Sequence, residues 1–246
     1  MIRSTDECID ITTANPFNIR IKALHNAYHG TEICRFYIDT DTSCRMAQFG
    51  RVMIIDGVNP PDEKLLFDFC QMAGVKIIIC DGELSFSHGA KTEGYILMHN
   101  GVNSASSRKN IKTVFSENLR DIFPLIKDNM NGLLSDDNFD EFYVDLSHRI
   151  RHGCGASVIV YNEQDIPVSC AVAPFMCDDG AVISAVCTNK DCRNMGYASH
   201  AIYSLIDKLR FFDIENIYLQ INDNSLLDFY YPLGFTASGT WQEITL

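Results

Sequence analysis

The sequence predicts an α/β protein built on a mixed sheet. Short runs rich in Val, Ile and Phe, bounded by Asp, Gly and Pro, alternate with segments whose apolar residues recur at helical spacing. One stretch, Ala181 to Ser199, passes from an apolar run through a polar turn to a helix entrance marked by Gly196. A strand, a loop and a helix joined by glycine in this way form a phosphate-binding corner in many α/β proteins.

At 246 residues the chain accommodates one large domain or two small ones. With 46% hydrophobic and 21% charged residues it can bury a core. The formal net charge of -12 argues against a general nucleic-acid partner, which needs clustered Lys and Arg. An anionic ligand must therefore be held by a local site, and the acidic surface suits a cationic acceptor such as an amine. Ten cysteines include Cys80 and Cys170 inside apolar runs, where a thiol acts as a small hydrophobe. No C-x-x-C pair is present, so no zinc site or redox dithiol is expected. MIRSTDECIDITT lacks an apolar signal core, and no apolar run approaches the ~18 residues of a membrane helix. The reading is a reduced, cytoplasmic protein without a membrane partner.

The elements are expected in this order. Asn18–Tyr28 has helical spacing. Ile33–Ile38 and Arg51–Ile55 read as strands, Glu63–Met72 as a helix closed by Gly74, and Val75–Cys80 and Gly94–Met98 as strands. Residues 30–100 thus read β-β-α-β-β. Asn100–Ser107 is polar and small and reads as a linker, which places a boundary near residue 110 between domains 1–110 and 111–246. Ser116 caps a helix reaching Lys127, and Phe139–His152 is a second. Ala156–Tyr161, Pro167–Phe175 and a run from Ala181 read as strands, Tyr197–Phe211 as a helix, Ile217–Ile221 as a strand, and Ser225–Tyr231 as a helix. Phe235–Leu246 gives one or two more strands.

Val186, Thr188, Arg193, Gly196, Tyr197, Ala198 and Ser199 fit the pattern V-x-T-x(4)-R-x-x-G-Y-A-S. This resembles motif A of the GNAT acyltransferase superfamily. Phe229-Tyr230-Tyr231-Pro232-Leu233-Gly234-Phe235 resembles its late motif, F-Y-x-x-x-G-F. The resemblance covers residues 111–246 and implies a GNAT fold there. The first 110 residues resemble a cut-down GNAT half without a phosphate-loop motif.

The resemblance implies direct transfer of an acetyl group from acetyl-CoA to an amine of a small molecule or an amino terminus. The pantetheine would lie along the strand at Val186, Cys187 and Thr188, with the backbone N–H of Val186 or Cys187 polarising the thioester carbonyl. The pyrophosphate would sit on the N–H groups of Asn194, Met195, Gly196, Tyr197, Ala198 and Ser199. Arg193 would add charge, and Ser199 a hydroxyl. Tyr230 would protonate the departing thiolate. The family's asparagine seven residues earlier is here Asp223; Asn224 sits one residue late and fits only if Tyr231 is the acid. Asp140, Glu141, Asp178, Asp179 and Glu243 are open as general base. His148 and His152 share a helix face near Cys154, but no third ligand is placed, and no metal is expected. Cys187 lacks a basic partner and reads as a strand residue. Two other classes stay open: an idle acyl-CoA- or partner-binding module, and a tandem GNAT acyltransferase with another donor. A homodimer also stays open.

Overall fold

The computed structural model describes residues 1–7, 10–11, 13–56, 60–82, 87, 89–101, 111–115, 119–130 and 135–246. The first half contains β1 (Ile2–Ser4), α1 (Pro16–Tyr28), β2 (Cys34–Asp39), β3 (Arg45–Phe49), β4 (Val52–Ile55), α2 (Glu63–Met72), β5 (Ile77–Asp81) and β6 (Ala90–His99). The second contains β7 (Lys112–Phe115), α3 (Leu119–Asn129), α4 (Phe139–Arg151), β8 (Ala156–Tyr161), β9 (Pro167–Ala173), β10 (Phe175–Cys177), β11 (Gly180–Ile183), β12 (Ala185–Thr188), α5 (Tyr197–Phe211), β13 (Ile217–Ile221), α6 (Leu227–Tyr230) and β14 (Phe235–Thr245). The expected linker lies, from residue 102 on, outside the described residues, as do the boundary near 110 and the cap at Ser116.

Among the described residues, ten strands form one sheet in the order β1-β2-β3-β4-β5-β14-β6-β13-β11-β10, and four form another in the order β12-β9-β8-β7. Around the β14–β6 pair the large sheet reads alike in both directions. β4 is parallel to β5, which pairs antiparallel with β14. β11 is parallel to β13, which pairs antiparallel with β6. The last strand of each half therefore lies between two strands of the other half: β14 between β5 and β6, β6 between β14 and β13. One sheet crosses the two halves.

The large sheet curls around α1, which touches β3 and β4 toward one end and β10 and β11 at the other. Asn15 starts this helix: its side chain accepts from the N–H groups of Phe17 and Asn18, and the Asn18 side chain returns to the Asn15 N–H. Pro16 fills the first position, where no N–H is needed. Because the sheet wraps it, α1 is buried on every side from Pro16 to Ile21.

Beyond the three-residue β1, two strands escape the sequence pattern. β3 contains Arg45 and Gln48, which interrupt the apolar signal; yet Gln48 is buried, donating to the carbonyls of Gly50 and Ala73. β7 lies just before the helix expected from Ser116, in a stretch for which no element was expected. Residues 30–100 are thus β-β-β-α-β-β. A third difference concerns the hairpin 167–188. Both arms, expected continuous, break in the middle. Pro174 has no N–H to give the ladder, and across from it Ser184 donates to Val172. Below the break β10 and β11 stay in the large sheet; above it β9 and β12 enter the small one.

Candidate functional site

The break at Ser184 opens a gap. β11 and β13 are paired from Ala181/Ile217 to Ile183/Leu219 and no further. β13 continues beside β6, while β12 turns away and pairs with β9. β12 is an edge strand with one side of its backbone facing the gap. Asn189 N–H donates to Val168. Alternation in an antiparallel ladder then turns the Cys187 N–H toward β9 and the Val186 N–H away from it. Ser169 Oγ donates to the Cys187 carbonyl at 2.8 Å, in agreement with that direction.

The chain then turns sharply into α5. The Asn189 side chain accepts from the Asp191 N–H and caps a single 3₁₀ turn, Lys190–Cys192. Arg193 is exposed, and its Nε lies 3.4 Å from the Thr188 carbonyl. Asn194 and Gly196 have left-handed backbones, with φ of 61° and 83°. Asparagine tolerates this conformation and glycine meets no penalty in it. Gly196 is the N-cap of α5, and no side chain among the described residues caps the helix. Its first amides, from Tyr197 to Ser199, thus present the positive end of the helix dipole without a protein oxygen from a capping side chain.

Tyr230 closes the region. It ends α6, is buried, and packs edge-on against Phe229 and Phe235 at ring distances of 5.0 and 5.6 Å. Val186 and Tyr197 pack against the same apolar cluster. Burial pushes the Tyr230 phenol up to about 12, so it holds its proton. Tyr231 is 47% exposed.

The acetyltransferase (GNAT) family model matches residues 119–235. This segment is a GNAT acetyltransferase domain. It carries the gap, the Gly196 corner and Tyr230. Solved structures share the wider fold. A GCN5-related N-acetyltransferase from Kribbella flavida superposes with a TM-score of 0.60 at 12% identity, over 83% of this chain and 86% of its own. An acetyltransferase of the GNAT family from Colwellia psychrerythraea gives 0.56 at 11% identity, over 100% and 99%. A tandem GNAT protein from the clavulanic acid biosynthesis pathway gives 0.58 at 10% identity, over 95% and 89%. At such identities the likeness is one of fold. No curated protein sequence matches the chain.

Within the GNAT domain the expected residues fall into three groups. Val186, Gly196, Tyr197, Ala198 and Ser199 border the gap and helix entrance, with Arg193, Asn194 and Met195 exposed on the turn. Cys187 and Thr188 face inward: Cys187 Sγ lies 3.3 Å from Cys170 Sγ, and the Thr188 hydroxyl 2.9 Å from that of Ser169. Asn224 stands apart, lining a cavity with Glu93, Gly94 and Trp241 on the β6 side of β13. Asp223 caps the turn that contains it, Asn224–Leu226, by accepting from the Ser225 N–H.

The other carboxylates differ in their surroundings. Lys22 contacts both Asp178 and Asp179, and holds the Asp178 carboxyl below its ordinary range. These acids and Cys177 could group around a cation, but the Lys22 ammonium already meets both carboxylates. Asp140 and Glu141 are exposed on α4. The His148 and His152 rings lie tilted with centroids 4.2 Å apart, and His148 also meets the Ala27 carbonyl and the Tyr28 ring.

The first half offers a contrast. α2 follows β4 as α5 follows β12, yet the Asp62 side chain accepts from the Lys64 and Leu65 N–H groups. A carboxylate sits where α5 has none. Sequence reasoning also missed Arg20 and Arg149, which lie in a cavity between the halves. Arg20 carried no signal, because a charged residue on a segment of helical spacing reads as solvent-facing.

Proposed function

We propose that the GNAT domain transfers an acetyl group from acetyl-CoA directly to an amine, on a small molecule or an amino terminus. The observation that carries this is the uncapped start of α5, at a left-handed Gly196, beside the free edge of β12. A helix start of this kind binds phosphate oxygens through backbone N–H groups. The contrast with Asp62 supports the assignment: α2 already has a carboxylate on its first amides, and a phosphate there would be repelled.

The donor is the substrate that supplies the acyl carbon. Asn194 to Ser199 would hold its pyrophosphate, with Arg193 adding charge. The outward N–H of Val186 is the donor of choice for polarising the thioester carbonyl, since that of Cys187 is directed at β9. As the neutral amine nitrogen bonds to the acyl carbon and the carbon–sulfur bond breaks, Tyr230 gives its proton to the thiolate, and the proton that the nitrogen sheds on becoming an amide returns through water to the Tyr230 phenolate. The buried phenol is kept neutral for that first transfer. Thr188 supports β12 from behind through Ser169. The buried thiols suit a reducing, cytoplasmic setting.

A thiol-release assay with acetyl-CoA over a panel of amines tests this reading. Turnover that is lost in Gly196→Glu supports it; no turnover and no acyl-CoA binding would overturn it. A second reading is a tandem acyltransferase that uses another acyl donor. The shared fold with a tandem GNAT protein and the two-way order of the sheet favour keeping it. Running the same assay with longer acyl-CoA donors separates the two.

A further inference from the structure

A cavity of about 400 Å³ lies where the halves meet. Its walls are largely apolar, with Phe49, Val52 and Ile79 from the first half and Ile126, Phe142 and Phe175 from the second. It reaches Ser184 and Ala185, the strand break at the foot of the proposed acyl site. A larger cavity of about 880 Å³ shares Phe49, Val52, Phe142 and Asp145 with it and opens past exposed Glu141. This provides a way in from outside.

The polar groups in this cavity are unevenly matched. Arg149 is buried; its Nε donates to Asp145 at 2.8 Å and its Nη1 to the Pro174 carbonyl at 3.3 Å. Tyr28 also donates to Asp145. Asp145 and Arg149 therefore offset one another. Arg20, on the buried helix α1, is 8% exposed and has no such acid. Its Nε has no hydrogen-bond partner. Burial and the like charge of Arg149 act on it, and both lower its pKa, to about 10. It still carries its charge at neutral pH. Its guanidinium lies 5.1 Å from the Phe175 ring. An unpaired buried cation is costly, and the protein offers no counter-ion here among the described residues.

We propose that Arg20 binds the carboxylate of the acyl acceptor, so that the acceptor is an amino acid or a similar amine carrying a carboxylate and an apolar body. The proposal rests on the acyltransferase reading for the fate of the amine, and on the cavity itself for the carboxylate. The volume suits a ligand of that size. The guanidinium fork suits a carboxylate. Apolar walls leave room for an aromatic or aliphatic side chain. The ammonium of such an acceptor would lie toward Ala185. The general acidity of the surface has no bearing on this enclosed site.

The test uses three matched probes: L-phenylalanine, 2-phenylethylamine, which lacks the carboxylate, and 3-phenylpropanoate, which lacks the amine. Binding of each is measured by calorimetry, and acetylation of the two amines by thiol release. The wild type is expected to bind both carboxylates more tightly than 2-phenylethylamine by roughly 10- to 100-fold, the span of one hydrogen bond to a charged group. Arg20→Met is expected to remove that preference while leaving acetyl-CoA binding unchanged. It is also expected to raise the melting temperature, since it removes an unpaired buried charge. Arg20→Lys, which keeps a charge, is expected to keep part of the preference. Equal binding of all three probes by the wild type, or a preference that survives in Arg20→Met, would overturn the proposal. Turnover of 2-phenylethylamine without carboxylate preference would sink the proposal and leave the transferase standing. Arg20-dependent carboxylate binding in a protein that does not bind acetyl-CoA would do the reverse.

Discussion

Arg20 and Arg149 share the ring of Phe175, their guanidinium carbons lying 5.1 and 4.8 Å from its centroid. Arg20 comes from the helix enclosed by the large sheet, Arg149 from α4 of the GNAT domain, and Phe175 from the residue after the Pro174 break. One contact thus joins both halves at the point where the hairpin parts. It depends on the sheet running through both halves, and the sheet depends on where β6 and β14 lie.

The position of β6 is tested at Gly94. A Cβ there would lie 1.9 Å from the Ile221 carbonyl oxygen and 2.7 Å from Trp241 Nε1. Trp241 Nε1 itself donates to Ile221. Gly94→Ala is expected to cost at least roughly 1–3 kcal/mol, as overpacking against fixed backbone does. Chemical denaturation measures it; an unchanged midpoint would mean that β6 does not sit between β13 and β14.

Tyr230→Phe keeps the ring contacts with Phe229 and Phe235 and removes only the hydroxyl. It is expected to lower kcat by about 10²–10⁴-fold, the range of a positioned general acid, with acetyl-CoA affinity unchanged. Tyr231→Phe, altering an exposed ring, is expected to leave kcat alone; the opposite pattern would move the acid by one residue. The phenol's behaviour with pH follows from its burial. Its folded pKa, about 12, lies above the ordinary tyrosine value of 10.0, so the folded state retains the proton longer. Its contribution to stability is whole below pH 10.0 and is lost as pH rises toward about 12. Ultraviolet titration of wild type against Tyr230→Phe measures this, and ionisation of Tyr230 at an ordinary tyrosine pKa would contradict it.

Asp62 marks the difference between the two helix entrances. Asp62→Ala is expected to cost ~1 kcal/mol through the lost cap. The number of acetyl-CoA sites in a calorimetric titration is expected to stay at one. A second site would show that only the carboxylate separates the halves in function.

The sequence made the GNAT domain legible because its signals are local. The bounds of Ala156–Tyr161, Tyr197–Phe211 and Ile217–Ile221 read as they stand, and Arg193, Gly196 and Tyr230 are singled out by the resemblance to the two GNAT motifs. What escaped is long-range. Nothing near Gly94 or Trp241 signals that their strands will pair, and the break at Ser184 has its cause across the hairpin, at Pro174. Arg20 reads as a surface residue of a helix. It is buried because the sheet closes around α1, and no stretch of α1 records that closure.

The most direct measurement is calorimetric titration of the wild type and Gly196→Glu with acetyl-CoA, with ATP as control. The Gly196 corner predicts binding of acetyl-CoA by the wild type alone, since a glutamate at the helix entrance adds bulk and charge where the pyrophosphate would lie. Gly196→Glu that stays folded and binds acetyl-CoA as the wild type does, or a wild type that does not bind it, would contradict the account.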